Sequence, residues 1–267
     1  MRLSLEQARK VAAEFQPAAD RLDVAMFSVL AELVPLAKNE KAIEYLKQGV
    51  GRRIKTARRC LENVFKIFPP ERTRLLEIEE LNDIQINLHA FAINVYGILD
   101  NIAWVYMLEQ GRVSTTAGDR TFVGLFNKRT QQHLSEPLRS YLNSKLLSWF
   151  EEYAKNYRDA LAHRIPLYVP PYTVRTKDSA KWQDLGSAIQ LAMTNRDIAE
   201  VIRLRAEQDS LGTICGAFSH LLSDDARPLF LHPQMICDAL SVSELIEKVV
   251  EDVKRSGWGA RADTKAS

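Results

Sequence analysis

The chain of 267 residues contains few cysteines and no closely spaced cysteine pair. Cys60, Cys215 and Cys237 are odd in number and lie far apart, so the sequence indicates neither a disulfide framework nor a C-x-x-C zinc site. Isolated thiols are typical of a reducing compartment, and we therefore predict a cytoplasmic location.

The sequence also lacks an uninterrupted apolar run of about 18 residues, which is the usual sign of a membrane-spanning helix. Its first turns carry Arg2, Glu6, Arg9 and Lys10 in place of the apolar stretch of a secretory signal. We expect no transmembrane helix and no membrane partner.

The common signatures of nucleotide, hydrolase and metal enzymes are missing as well. There is no GxxxxGK[ST] loop, GxSxG elbow, HExxH pair or EF-hand loop. The five histidines do not stand at metal-ligand spacings from cysteines or carboxylates. We expect no metal and no other cofactor, so any chemistry has to come from side chains.

Helical periodicity dominates what is present, and nothing alternates with period two for long. We predict an all-α fold, an elongated helical bundle with one long central helix and minor or no β structure. Ser4 and Gln7 form a capping box, and Pro17 is expected to interrupt the first helix. Helices are expected over 4–15, 18–37, 39–68, 71–110, 128–164, 178–211 and 239–256, with a short strand at 121–126 and an extended segment at 166–172.

These segments suggest one integrated domain with four parts. Residues 1–70 form an N-terminal helical extension, and residues 71–175 form the helical core. Residues 176–256 supply C-terminal helices that pack on this core, and residues 257–267, rich in Gly, Ala and polar residues, form a flexible tail.

The net charge is only +2, but the basic residues are unevenly distributed. Between Lys47 and Arg74, nine Lys or Arg residues stand against two acidic ones. Clustered cations on one helix face are typical of a surface that contacts nucleic-acid phosphates. A solvated face without a partner is the alternative. The candidates for RNA contact on this helix are Arg52, Arg53, Lys55, Arg58 and Arg59.

One helical segment, 149–164, carries residues suited to proton transfer beside a phosphate. Asn156, Asp159 and His163 share an arc of the helix, and Asp159 and His163 form an i,i+4 pair. His163 lies in the last turn, where the helix dipole favours the imidazolium, with Arg158 and Arg164 nearby. Arg158 lies about 140° around the helix from His163. The two converge only through the reach of the arginine, a distorted helix end or a second copy.

Arg158, the polar Asp159 and His163 together match the Arg-x4-His motif of the HEPN superfamily. The sequence YGILDNIAW at 96–104 and the sequence ALAHRIPLYVPPY that ends at 172 also resemble HEPN-like bacterial proteins. The resemblance covers about residues 75–175, which makes the predicted core HEPN-like. It implies a bundle of α-helices, commonly a homodimer, with the arginine and histidine of both protomers in one cleft. Many such domains are metal-independent endoribonucleases of toxin–antitoxin or defence systems, whereas others only bind nucleotides or RNA.

By this resemblance, Arg158, Asp159 and His163 are the catalytic candidates. His163 would move the proton of a ribose 2′-OH or of the 5′-oxygen, Arg158 would stabilise phosphate charge, and Asp159 would orient the imidazole. DNA would be spared, because it lacks the 2′-OH. Auxiliary candidates are Asn156, Asn94, Asp100 and Asn101, and Arg164 joins the candidates for RNA contact.

Two other interpretations of these residues remain open. Asn94 and Asn101, which stand seven residues apart in the long helix, either line a cleft or fix the register between helices. The chain is alternatively a non-catalytic nucleotide-binding or scaffold protein, in which Arg158, Asp159 and His163 form a structural cluster.

Overall fold

The computed structural model describes residues 2–113, 122–219 and 228–258. It is mostly helical, with long helices packed together, as the sequence predicts. Helix α1 (Leu5–Ser28) begins at the predicted capping box, in which the Ser4 hydroxyl accepts from the Gln7 N–H and the Gln7 side chain accepts from the Ser4 N–H. The remaining helices are α2 (Val34–Leu36), α3 (Glu40–Glu44), α4 (Arg52–Ile67), α5 (Ile78–Glu109), α6 (Lys128–Gln131), α7 (Glu136–Tyr141), α8 (Leu147–Trp149), α9 (Lys155–His163), α10 (Ser179–Thr194), α11 (Ile198–Ser210) and α12 (Leu231–Ser256).

Several of these helices follow one another without a break, through short π-helical segments. The π-helical segments are Val29–Leu33, Tyr45–Gly51, Leu142–Leu146 and Phe150–Ala154, and a 3₁₀ turn covers Thr176–Asp178. The helix predicted over 39–68 is therefore present as α3, a π-helical segment and α4, with Asn39 as its N-cap.

The expectation that Pro17 interrupts the first helix is wrong. Ala18 and Ala19, directly after the proline, and Leu22 in the next turn are fully buried. Helix α1 packs along α12 and α4. This burial outweighs the one backbone hydrogen bond that a proline removes from a helix.

The long central helix is α5, but it begins at Ile78 and not at residue 71. Arg72 holds the preceding segment in a non-helical conformation, because its guanidinium donates to the carbonyls of Ile67 and Leu75 and forms an ion pair with Glu80. The side chain of Glu80 in turn accepts from the Glu77 N–H and closes a capping box. The first turn therefore starts where side chains satisfy the free backbone groups.

Helix α5 is apolar enough, over one 18-residue window, to meet the length and composition of a membrane span. In the structure 67% of that window is buried among other helices, as in the core helix of a globular fold. Helices α4, α3, α9 and α12 pack around it.

The segment predicted as one helix over 178–211 is two helices, because the chain reverses between α10 and α11. Arg196 adopts a positive φ of 57° in this reversal. The two helices pack on each other around Leu185, Ile189, Ala192 and Leu204, a cluster separate from the main core. Helix α12, in contrast, belongs to the main core and starts eight residues earlier than predicted.

Little β structure is present among the described residues, as predicted. Two antiparallel ribbons contain all four named strands. The strand expected at 121–126 is absent from its described part, 122–126, which forms turns, and Thr121 lies outside the described residues. In the predicted tail, Trp258 is buried and donates to the Leu36 carbonyl, while residues 259–267 lie outside the described part. The ribbons pair β1 (Thr173–Val174) with β2 (Gly212–Thr213), and β3 (Ala217–Phe218) with β4 (Leu229–Phe230).

A buried carboxylate ties α12 to α5 and α7. Asp252 is 2% exposed. It accepts from the Tyr106 hydroxyl at 3.1 Å and from the Ser135 hydroxyl, and it forms an ion pair with Arg255 at 2.7 Å. Ser135 is also the N-cap of α7. One side chain thus joins three helices at the same end of the bundle.

We expect Asp252→Asn to lower the free energy of unfolding by about 2–3 kcal/mol, since an amide cannot accept all these hydrogen bonds and leaves buried donors unsatisfied. Urea denaturation measures the effect. The exposed Asp20→Asn is the control, with an expected change within about 0.5 kcal/mol. Equal stabilities of the two variants would contradict the prediction.

Candidate functional site

A groove between α3, α4 and α5 contains a guanidinium held only by neutral groups. Arg53 Nε donates to Asn101 Oδ1 at 3.0 Å, and its Nη1 donates to Asn94 Oδ1 at 3.3 Å. Among the described residues, no carboxylate lies within ion-pair distance of Arg53, and Nη2 has no hydrogen-bond partner. We call this space of about 380 Å³ the Arg53 groove; Lys41, Tyr45, Arg52, Arg53, Asn94 and Asn101 line it.

Two glycines make this close approach possible. A Cβ on Gly97 would lie 2.5 Å from Arg53 Cζ, and one on Gly49 would lie 2.7 Å from Asn101 Oδ1. Arg53 therefore rests on the one position of α5 without a side chain. Asn94 and Asn101 both line this groove, and both accept from Arg53 of the neighbouring helix α4.

The Arg53 groove carries excess positive charge. It contains Lys41, Arg52 and Arg53, and its carboxylate, Glu44, forms an ion pair with Lys41 at 2.6 Å. Arg52 is exposed. A half-buried guanidinium with free donors beside a second exposed one is suited to a phosphate group.

The other predicted RNA-contacting residues of α4 face away from this groove. Arg58 forms ion pairs with Asp23 at 3.1 Å and Glu62 at 3.0 Å. Arg59 is also paired with Glu62, at 2.9 Å. Lys55 is exposed and makes no ion pair with the described residues. Arg58 and Arg59 therefore fit the alternative interpretation of the basic cluster, a solvated helix face.

A second cavity, of about 370 Å³, lies between α5, α9 and the segment before α6. We call it the Asp100 cleft. The aromatic side chains of Phe126 and Phe150, which stack at 3.9 Å, line it. Trp104 lines it as well and stacks on Tyr45 of the Arg53 groove. The two cavities are therefore neighbours. The lining residues include Tyr96, Asp100, Trp104, Phe126, Lys155 and Arg158.

Asp100 is half-buried between two arginines and paired with neither. Loss of water around the carboxyl group raises its pKa to about 6, although Arg158 and Arg53 act in the opposite direction. Among the described residues, none donates a hydrogen bond to this carboxylate.

Arg158 lines the same cleft, and its guanidinium already has hydrogen-bond partners. Its Nη1 forms an ion pair with Asp159 at 2.8 Å, and its Nη2 donates to the Tyr96 hydroxyl at 3.3 Å. Its Cζ lies 4.7 Å from the centroid of the Tyr96 ring, in cation–π contact. The guanidinium is oriented toward α5.

The structure does not assemble the predicted catalytic set within one chain. Asp159 pairs with Arg158, and no hydrogen bond or ion pair joins it to His163. His163 and Arg164 are exposed at the end of α9, outside the Asp100 cleft. Asn156 donates to the carbonyls of Glu151 and Glu152, where it serves its own helix.

Several lining residues escape sequence-based reasoning. Tyr45, Trp104 and Phe126 show no pattern that separates them from core aromatics, and Lys41 shows none that separates it from a surface lysine. Gly97 does offer a signal, because it is the one glycine in α5 and such a glycine often marks a close approach.

No protein-family model matches the chain, and neither a curated protein nor a solved structure is significantly similar to it. The resemblance of residues 158–163 to the HEPN motif therefore rests on the residues alone, and the activity that it implies stays a prediction.

We expect Asp100→Asn to stabilise the protein at neutral pH. Because folding raises the pKa of Asp100 from 3.8 to about 6, ionisation of this carboxyl group opposes folding at higher pH. A neutral amide removes that cost. We expect the free energy of unfolding to increase by about 1–2 kcal/mol, after allowance for the open cleft. The gain should disappear toward pH 4, where the native carboxyl is protonated. Urea denaturation of the native chain and the variant at pH 7.5 and pH 4 measures the gain, with the exposed Asp184→Asn as control. The same difference between variant and native chain at both pH values would contradict the prediction.

Proposed function

We propose that this chain is an RNA-binding protein that holds phosphates at Arg53 and Arg158. The observation that supports this proposal is the guanidinium of Arg53, which is half-buried, held by Asn94 and Asn101, and without an ion pair among the described residues. Burying a cation without a counter-ion costs free energy. A phosphate would offset that cost through charge-assisted hydrogen bonds.

The position of the two cavities supports a nucleic-acid chain over a small inorganic anion. Asp100 lies between Arg53 and Arg158 and senses the charge of both, and the stacked Tyr45 and Trp104 connect the cavities. Cations alternating with aromatic side chains match a single strand, whose phosphates and bases alternate in the same way. The HEPN resemblance favours RNA over DNA.

Fluorescence anisotropy with a labelled single-stranded RNA of mixed sequence tests this proposal. We expect Arg53→Gln to weaken binding at least tenfold, since the amide keeps polar contacts but loses the charge. Arg59→Gln is the matched control on the same helix, because Arg59 is already paired with Glu62. Equal losses in both variants would indicate diffuse attraction to a basic helix and would overturn the site.

A metal-independent endoribonuclease is the second candidate function. The observation that favours it is His163, which is exposed and makes no hydrogen bond or ion pair with the described residues. In this reaction the 2′-oxygen attacks the adjacent phosphorus and the bond to the 5′-oxygen breaks, which leaves a 2′,3′-cyclic phosphate and a 5′-OH. His163 moves the proton and Arg158 stabilises the phosphate charge.

Because His163 of one chain lies outside its own cleft, this candidate needs a second copy. Ile86, Ile165 and Tyr168 are exposed and line an apolar groove beside the end of α9. We assign this groove to a homodimer in which the partner's cleft meets His163.

Incubation with RNA in EDTA tests the second candidate. Cleavage to 2′,3′-cyclic phosphate ends is expected to fall at least a hundredfold in His163→Ala and in Arg158→Ala, with His133→Ala as the histidine control. Light scattering measures the dimer in the same samples. Absence of cleavage by a dimeric native chain, or full activity of His163→Ala, would overturn the nuclease candidate and leave RNA binding in place.

A further inference from the structure

The Asp100 cleft has the chemistry of a site for a planar base, apart from its role in holding phosphate. Trp104 and Phe126 present aromatic surfaces, and the cleft volume of about 370 Å³ falls in the range of small-molecule sites, about 300–1,000 Å³. Asp100 adds one carboxylate whose hydrogen-bonding capacity is unused by the described residues. The site therefore offers stacking together with a pair of adjacent acceptor oxygens.

The surrounding cations decide which donor the carboxylate accepts. Arg53 is held by Asn94 and Asn101, and Arg158 is held by Asp159 and Tyr96, so neither moves onto Asp100 without losing its own contacts. With Lys155 they repel a cationic ligand. A neutral ligand with two neighbouring N–H donors fits this carboxylate best.

We propose that the Asp100 cleft selects guanine, whose N1–H and N2–H groups donate to the two oxygens of the Asp100 carboxylate while the ring stacks on the aromatic wall. An ionised carboxylate only accepts hydrogen bonds. Guanine presents two adjacent donors on its Watson–Crick edge, whereas adenine and cytosine each present a donor beside an acceptor. Uracil presents one donor between two carbonyls. Each of these three places an acceptor against the carboxylate.

This inference rests on the proposed RNA binding, because the neighbouring Arg53 groove supplies the contact for the phosphate of the same nucleotide. The two parts are chemically separable. Arg53 contributes equally to all nucleotides, since every nucleotide carries a phosphate, and Asp100 contributes only to the difference between bases.

Isothermal titration calorimetry of the full chain with nucleoside 5′-monophosphates tests the selection directly. At pH 7.5 we expect GMP to bind at least tenfold more tightly than AMP, CMP or UMP. Inosine 5′-monophosphate, which keeps N1–H but lacks the N2 amino group, should lose most of this preference. Equal dissociation constants for GMP and AMP, or for GMP and inosine 5′-monophosphate, would overturn the proposal without any variant.

Substitution of the carboxylate provides the second arm. Asp100→Asn replaces one acceptor oxygen with a donor, so the ratio of GMP to AMP affinity should fall to near one. Asp184→Asn, on an exposed face of α10, should keep the native ratio. A native ratio in Asp100→Asn would show that another group reads the base and would overturn the assignment.

The pH profile should follow the ionisation of Asp100, whose surroundings are Arg158 and Lys155 of α9, Arg53 of α4 and Tyr96 of α5. With a pKa of about 6, the preference for GMP should decline between pH 7 and pH 5 and should be independent of pH in Asp100→Asn. A preference that is unchanged at pH 5 would overturn the role of the carboxylate.

Arg53→Gln separates this inference from the proposed function. We expect it to weaken all four monophosphates to a similar extent and to keep the ratio of GMP to AMP. If it leaves RNA affinity unchanged while GMP is still preferred, the phosphate site fails and the base site stands. If RNA binding depends on Arg53 but GMP has no advantage, the base site fails and the phosphate site stands.

Discussion

The burial of one long apolar helix organises this protein. Helix α5 has 32 residues, and its buried side chains lie on more than one face. A single neighbour cannot cover such a helix, so α3, α4, α9 and α12 all pack on it. Apolar burial contributes about 25 cal/mol per Å², so this enclosure favours the folded state. Polar residues on its covered faces, such as Asn94, Asp100 and Asn101, are carried into the enclosure with it.

Three such polar residues, Asn94, Asp100 and Asn101, define the candidate site. A buried amide has to find hydrogen-bond partners, and Arg53 reaches both asparagines only because Gly97 leaves room for its guanidinium. Asp100 lines the Asp100 cleft and accepts no hydrogen bond from the described residues. The fold thus holds an arginine and a carboxylate near each other, and neither forms an ion pair with the described residues. Such uncompensated groups are costly, and they are expected where a ligand binds.

Paired and unpaired arginines give α4 two distinct sides. Arg58 bridges to Asp23 on α1 and to Glu62 on its own helix, which helps to hold α1 against α4. Arg53, five residues earlier, faces the groove instead. The basic cluster is therefore partly structural and partly available to a ligand, and its charge alone does not separate the two roles.

The sequence by itself determined the helical class, the capping box at Ser4 and the polar spacing of Asn94 and Asn101, since these depend on local periodicity and short-range hydrogen bonds. Only the tertiary structure decided that α1 continues through Pro17 and that Arg158 turns toward Tyr96 and not toward His163. It also decided that Arg53 forms no ion pair with the described residues, while Arg58 pairs with Asp23, a residue 35 positions away. These outcomes depend on contacts between distant segments, and helical periodicity carries no information about which distant side chain arrives at a given face.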